Sequence, residues 1–341
     1  MGQPLDLPPA APAFLAAVGW ADADRTEFSA DAAFRRYFRL TRADGARAIL
    51  MHAPDPSERS EWFVELALEI RARGMSGPEI YATDMSDGLI LLEDLGTRQY
   101  FEYLQSASDA DARELYGAAT DVLTILHRHP MPTQLGLVHI DDYTSARMIR
   151  EAELLLDWHW PELMGGAASD DVRSSHAAAW TKVLAAADYD ADRMVQLDYH
   201  SPNLMWLPGR EGARRVGILD FQDAMRGPSS YDLVSLLQDA RRDMLPGLEA
   251  DMTARYLAAR KLDEDAFRAS YAVMGAQRAA RILGVFVRLW RRDEKPRYLA
   301  HLPRLWEYLD RNLAHPALAP LKDWFDTHLP QPARTRLKDD R

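Results

Sequence analysis

Residues Gln196–Asp232 read QLDYHSPNLMWLPGREGARRVGILDFQDAMRGPSSYD. The stretch sets Asp198 five residues before Asn203, places Asp220 directly after the apolar run VGIL, and opens another apolar run at Tyr231-Asp232. ATP-dependent phosphoryl transfer needs a carboxylate near the attacking hydroxyl and oxygen ligands that hold Mg²⁺ against the phosphates. Asp198 suits the first role, orienting a hydroxyl and accepting its proton late. Asn203 and Asp220 suit the second. D-x-x-x-x-N alone is a weak signal, since Asn203 also fits a turn after Pro202. Asp220 strengthens it, because a structural Asp at a strand end has no obvious partner in the sequence, and burying it unpaired costs roughly several kcal/mol. Asp232 reads as structural, a carboxylate at a helix start that accepts backbone N–H bonds, here from the catalytic loop.

The chain before this stretch divides in two. AFLAAVGW predicts a short helix ending at Gly19. Phe34 to Met51 reads as a hairpin, FRRYFRL and ARAILM around the turn RADG. A helix with a start signal at Ser57 follows, with Trp62, Leu66 and Ile70 at helical spacing and Gly74 beyond its end. PEIYATDMSDGLILLEDLG predicts two strands around a Ser-Asp-Gly turn. From Gly96 the pattern is helical: DARELYGAATDVLTILHRH, SARMIREAELLLDWHWPELM and HAAAWTKVLAAA, each taken as one helix. Two short strands, around NLMWL and VGILDF, interrupt it, and helical spacing then resumes almost to the end. The expected architecture is mixed α/β (α+β): a small β-rich N-terminal lobe, residues 1–95, and a larger helical lobe, residues 96–341.

Composition sets the outer bounds. With 47% hydrophobic and 27% charged residues, the 341-residue chain has ordinary globular make-up. A net charge of -11 speaks against a nucleic-acid partner, while leaving room for a local basic pocket around a nucleotide phosphate. There is no cysteine, which removes disulfides, thiolate metal sites and cysteine nucleophiles. No apolar run is long enough to span a bilayer, and the N-terminus lacks a basic start followed by an apolar block. A cytoplasmic protein without a membrane or obligate protein partner is expected.

With those motifs in hand, the chain resembles the aminoglycoside-phosphotransferase-like (choline-kinase-like) small-molecule kinases. LDYHSPNLMW is similar to their catalytic loop, GILDFQDA to their metal-binding segment and GPSSYDLVSLLQD to the helix that follows. Within that family, FQDAxxGPxxYDLxSLLxD and the C-terminal QRxxxxLGxFxRLxxRD look most similar to the anomeric N-acetylmuramate and N-acetylglucosamine kinases of cell-wall recycling. The resemblance implies a two-lobed protein-kinase-like fold, ATP and Mg²⁺ as cofactors, transfer to the sugar C1 hydroxyl, and an adenine hydrogen-bonded to the backbone of the hinge Leu92–Leu95, with Glu93 and Leu95 as contacts. Gln196 replaces the His these kinases usually carry two residues before the catalytic Asp.

The larger departure lies in the first lobe. Relatives end the third strand with a Lys that neutralises the triphosphate; here that strand reads AILMHAP, with Met51 and His52. SADAAFRRYFRL replaces the glycine-rich loop, so Arg35 or Arg36 is the candidate phosphate contact, with an exposed charged edge strand as the competing reading. Glu61, Glu65 and Glu69 share a helix face best read as solvated. In the helical lobe Arg278, Arg281, Arg288 and Arg292 fall within about a quarter of a helical wheel. Arg281 and Arg288, with His200 and Asp223, are the acceptor candidates; salt-bridged or solvated positions compete for most of the stripe. Trp158, Trp160, Trp290 and Trp306 could stack on a sugar but also suit core packing. An antibiotic or other hydroxyl kinase remains the alternative enzyme, and a nucleotide-binding pseudokinase the alternative class.

Overall fold

A computed structural model describes residues 7–28 and 35–334. Two compact units share the chain: Met1–Leu126, Pro132–Ile140 and Ser201–Ala224 make the first, and His127–Met131, Asp141–His200 and Met225–Arg341 the second.

The first unit holds a five-stranded antiparallel sheet in the order β1-β2-β3-β5-β4, with β1 at Asp24–Phe28, β2 at Arg36–Thr41, β3 at Arg47–His52, β4 at Ile80–Asp84 and β5 at Leu89–Glu93. The predicted hairpin is β2–β3. Its turn closes through Arg42 N to Ala46 O, and Asp44 Oδ1 accepts from Ala46 N, both at 2.9 Å, while Gly45 takes φ +86°. β3 buries Ala48, Ile49, Leu50 and Met51 in succession, as a strand covered on both faces does. Helix α1 (Ala11–Ala17) brings Ala11 and Leu15 to the cluster of Trp20, Phe38, Leu40, Leu50 and Leu91. β1 has no counterpart in the sequence reading: DRTEF is charged and lacks apolar alternation, and its register against β2 supplies the order instead.

The first-lobe helix, α2, runs Ser60–Ala72. It begins three residues after the expected Ser57, because Pro56–Glu58 forms a 3-10 turn and Arg59 takes a left-handed φ of 55° before the helix starts. The β4–β5 turn is tied by Asp84 Oδ1, which accepts from the Ser86 hydroxyl at 2.6 Å. Gly88 in that turn is obligatory: its φ is +63°, and a side chain there would land on the Ala53 carbonyl. The short α3 (Tyr100–Leu104) and the amphipathic α4 (Asp109–Leu126) complete this unit's helices.

The second unit is helical around α10. Its helices are α5 (Ser145–Ala152), α6 (Trp160–Met164), α7 (Asp170–Leu184), α8 (Ser230–Leu237), α9 (Leu248–Arg260), the 28-residue α10 (Glu264–Arg291), α11 (Leu302–Leu313) and α12 (Ala319–His328). The sequence suggests one helix from Ser145 to Met164; the structure breaks it with a π turn at Leu155–His159. Pro161 cannot donate to the carbonyl four residues back, which loosens the ladder there. α10 also passes so close that a methyl on Gly284 would overlap the Leu154 and Leu155 backbone. Trp160 and Trp306 are core residues packed against Trp324 and Phe325 respectively. His159 and His176 are fully buried; burial lowers their pKa values to about 4 and about 3, and His176 Nε2 accepts from Trp180 Nε1 at 2.9 Å. No helix among the described residues is long and apolar enough to cross a membrane.

The Gly284 crossing gives a direct test of this packing. Gly284→Ala forces α10 off the π turn and should destabilise the protein by roughly 1–3 kcal/mol, read as a lower urea midpoint. An unchanged midpoint would mean that the crossing is not close-packed.

Candidate active site

The helical unit carries Asp198. The loop that bears it leaves the strand Arg193–Val195, which pairs antiparallel with Met225–Gly227. Asp232, fully buried in the first turn of α8, holds that loop: its carboxylate accepts from Gln196 N at 2.8 Å and Leu197 N at 3.1 Å. Leu197 sits at φ 68°, a conformation that costs a non-glycine residue about a kcal/mol or more, and the two bonds hold it there. Behind Asp232, His127 is fully buried with Nε2 3.7 Å from the carboxylate and Nδ1 2.7 Å from the Tyr256 hydroxyl. Burial keeps His127 below the usual imidazole pKa. Asp232 therefore does what its place at a helix start predicts.

Charges around Asp198 fix its protonation. Burial pushes its carboxyl up, but Arg281 first, then His200, Arg278 and Arg241, pull it down further, and the net position is below the ordinary carboxylate range. Asp198 is thus held as a carboxylate by its basic neighbours. His200 is buried, and burial pushes its pKa down to about 4, so it is neutral at physiological pH; its Nδ1 has no hydrogen-bond partner among the described residues. Arg281 donates to the Tyr231 hydroxyl at 3.1 Å and lies 3.5 Å from Glu151. The Arg241 guanidinium is 3.6 Å from the fully buried Asp239. Arg278 is 3% exposed. The arginine stripe thus divides: Arg278 and Arg281 act on Asp198, Arg292 pairs with Asp293, and Arg288 is half-buried beside Arg292.

The sheet unit carries Asn203 and Asp220. A 3-10 turn at Ser201–Asn203 leads into the strand Leu204–Trp206, which pairs with Val216–Ile218, and Leu219 N donates to Asn203 O at 2.9 Å. That register brings Asn203 Nδ2 to 3.4 Å from Asp220 Oδ2. Asp220 lies two residues past its strand at φ 57°, and Gln222 Nε2 donates to its Oδ1 at 2.9 Å. Phe221 anchors the segment by stacking on Phe63 of α2 at 5.1 Å. An exposed carboxylate beside an amide is a hard oxygen set that suits Mg²⁺, which takes its remaining ligands from phosphate and water. A half-turn of the Asn203 amide presents Oδ1 in place of Nδ2. Asp223 is exposed and 3.3 Å from Arg59.

The nucleotide candidates occupy distinct settings within the same unit. Arg35 is 8% exposed and bound to Glu58, Nε to Oε2 at 2.6 Å and Nη2 to the carbonyl at 2.7 Å. Tyr37, next on that side of the sheet, lies within electrostatic reach of Arg35 and Asp220. Arg36 is half-buried at the start of β2, an inner strand rather than the edge strand of the competing reading, where it pairs with Glu27 at 2.9 Å and stands opposite His52 across the ladder. Residues 29–34 of the loop that replaces the glycine-rich segment lie outside the described residues. The Glu93 side chain pairs with Arg210 and lies 3.5 Å from Arg71, while Leu95 is buried against Gly217. Arg39, not singled out for the site, clamps the segment after β5: it donates to Asp94 at 2.8 and 3.1 Å and to Gly96 O at 3.0 Å. Arg241, Asp239 and Glu58 also escaped the sequence reading: Arg241 and Asp239 stand two residues apart with no motif to mark them, and Glu58 meets Arg35 twenty-three residues away. Arg278 had a sequence signal, its place in the stripe, but nothing there separated it from the other three.

Residues 24–271 match the phosphotransferase enzyme family (APH). An N-acetylmuramate/N-acetylglucosamine kinase of Caulobacter vibrioides is 37% identical over 338 residues, covering 90% of this chain and 92% of the relative. A protein of the same name from Pseudomonas putida is 33% identical, covering 84% and 82%. Among solved structures, a choline/ethanolamine kinase family protein from Mesorhizobium loti superposes with a TM-score of 0.58 at 14% identity, covering 92% of this chain and 98% of that one. The ADP-bound aminoglycoside phosphotransferase APH(2'')-Ib gives 0.57 at 14%, covering 89% and 99%. The antiparallel sheet and the helical unit thus belong to a kinase-like small-molecule phosphotransferase, and the chain is a member of the APH phosphotransferase family.

Proposed function

We propose that this enzyme transfers the γ-phosphoryl group of Mg²⁺-bound ATP to the anomeric hydroxyl of N-acetylmuramate or N-acetylglucosamine, giving the sugar 1-phosphate for reuse of cell-wall sugars in the cytoplasm. The observation that carries the reading is the ionised Asp198 among Arg281, Arg278 and Arg241. The names of the relatives support the choice of sugar. That basic setting speaks against a polycationic aminoglycoside as acceptor, which calls for converging carboxylates instead.

In the proposed reaction Asp198 accepts a hydrogen bond from the C1 hydroxyl and aims its oxygen at the γ-phosphorus. As the new P–O bond forms and the bond to ADP breaks, the hydroxyl proton passes to the Asp198 carboxylate. Asn203 and Asp220 would hold the cation, whose charge would offset that developing on the phosphoryl oxygens. Asp232 keeps the Asp198 loop in register. Arg35, braced by Glu58, takes the place of the missing Lys, and the backbone at Glu93 and Leu95 receives the adenine. Most of the acceleration then comes from positioning and charge neutralisation.

Three outcomes test this. ATP turnover with N-acetylmuramate or N-acetylglucosamine should fall about 10²–10⁴-fold in Asp198→Asn while ATP affinity is kept; transfer to kanamycin or choline alone would overturn the acceptor. Asp220→Asn should raise the Mg²⁺ concentration needed for half-maximal activity; an unchanged Mg²⁺ dependence would remove Asp220 from the metal site. Because Asp198 titrates below the ordinary carboxylate range, kcat/KM should show no acid limb from it above about pH 5. Arg281→Met removes the largest favourable charge and leaves burial to raise the carboxyl, so the limb should move to higher pH. A limb that stays in place would mean that Arg281 does not set the charge of Asp198.

A further inference from the structure

We propose that Glu151 is a positioning residue of the transfer: it holds the guanidinium of Arg281 against Tyr231, so that the cation keeps its place toward Asp198. The inference rests on the kinase reading above and adds a residue that acts on the reacting atoms through another.

In sequence Glu151 is one charged residue among several on α5. The fold makes it the anion of a network inside the helical unit. Its side chain is 16% exposed, and its two oxygens are divided. Oε1 accepts from Arg147 Nε at 2.9 Å, one turn back on the same helix. Oε2 accepts from the Tyr143 hydroxyl at 2.6 Å and lies 3.5 Å from Arg281 Nε. The buried ring of Tyr143 meets the buried ring of Tyr231 edge-on, with centroids 5.3 Å apart. The Tyr231 hydroxyl then accepts from Arg281 Nη1 at 3.1 Å. Glu151, Tyr143, Tyr231 and Arg281 thus close a ring of contacts. Buried Gln277, one turn before Arg281 on α10, donates to the Met148 carbonyl of α5 at 3.1 Å and fixes the two helices at that level.

Arg281 needs such a holder. An arginine side chain carries about 2 kcal/mol of rotamer freedom, which a planar fork with fixed partners gives up at the lowest cost. It also stands among like charges, with Arg278 three residues before it on α10 and Arg241 acting on the same carboxylate. Burial disfavours the Arg281 cation, and Tyr231, Asp198 and Glu151 more than offset it. Tyr231 gives the guanidinium a direction, and Glu151 gives it a second anion besides the catalytic one. Asp198 is faced by Arg278 and Arg281 from α10, by His200 from its own loop, by Tyr231 from α8, and by Arg241, with Asp239 beside it, from the segment after α8.

The test is a double-mutant cycle on the whole chain, with N-acetylmuramate or N-acetylglucosamine as acceptor. Glu151→Gln keeps the shape and removes the charge. In the unaltered enzyme it should lower kcat about 10-fold, while the KM for ATP changes by less than about 3-fold. Glu151→Asp, with the charge on a shorter arm, should recover part of the loss. In the Arg281→Met background the same Glu151→Gln change should cost less than about 2-fold in kcat, because the group it holds is already gone. The acid limb, which that background brings to higher pH, should stay where it is. Tyr143→Phe removes a single hydroxyl and should repeat the pattern with a smaller loss. Equal losses in both backgrounds would make Glu151 a structural residue, and a limb that drops in the double variant would mean that its charge acts on Asp198 directly; either overturns the proposal, as does an unchanged kcat in Glu151→Gln or in Arg281→Met. An enzyme that transfers to another hydroxyl acceptor and shows the same cycle on it would keep the role of Glu151 and lose the choice of sugar. One that transfers phosphate to no acceptor would remove both.

Discussion

The carboxylate of Asp232 is the constraint on which the catalytic loop depends. It accepts two backbone N–H groups, from Gln196 and Leu197, and Leu197 is in a left-handed conformation. A buried carboxylate without those donors would carry a large desolvation penalty, and the loop without the carboxylate would leave two buried N–H groups unpaired. Each makes the other tolerable. His127 and Tyr256 close the arrangement from behind, so a residue at the start of α8 and another at the end of α4 both govern where Asp198 points.

The same logic separates the two kinds of charge in the structure. Asp232 is silent: its oxygens are spent on backbone. Asp198 is the opposite, a buried carboxylate whose pKa is pulled below the ordinary range by Arg281, His200, Arg278 and Arg241. Asp220 is a third case, exposed, turned out by a positive φ just past its strand and steadied by Gln222. Asp198, Asp220 and Asp232 thus have three environments within thirty-five residues, and the backbone around each shapes it.

Most of this site was legible because its residues lie close together in the chain. Asp198, Asn203, Asp220 and Asp232 fall in one stretch, and the strands between them show as short apolar runs. The hairpin β2–β3 was legible through its turn residues. What stayed hidden was whatever depends on distant partners. β1 is charged and gains its order from β2. The π turn at Leu155–His159 shows in sequence only as a proline, while the helix that crowds it lies more than a hundred residues away. Arg278 looked like its neighbours in the stripe until its burial set it apart.

The buried histidines of the helical unit carry a consequence for the protein's behaviour in acid. His159, His176 and His200 all hold proton affinities far below that of a free imidazole because burial disfavours their cations. An unfolded chain binds those protons near pH 6.5, the folded one only near pH 4 or lower, so acidification through that window draws the equilibrium toward unfolding, by on the order of 3 kcal/mol per site at its limit. Protonating His176 Nε2 would also cost the bond from Trp180. The helical core is therefore built for neutral surroundings, and these buried rings, His127 among them, work against its stability in acid.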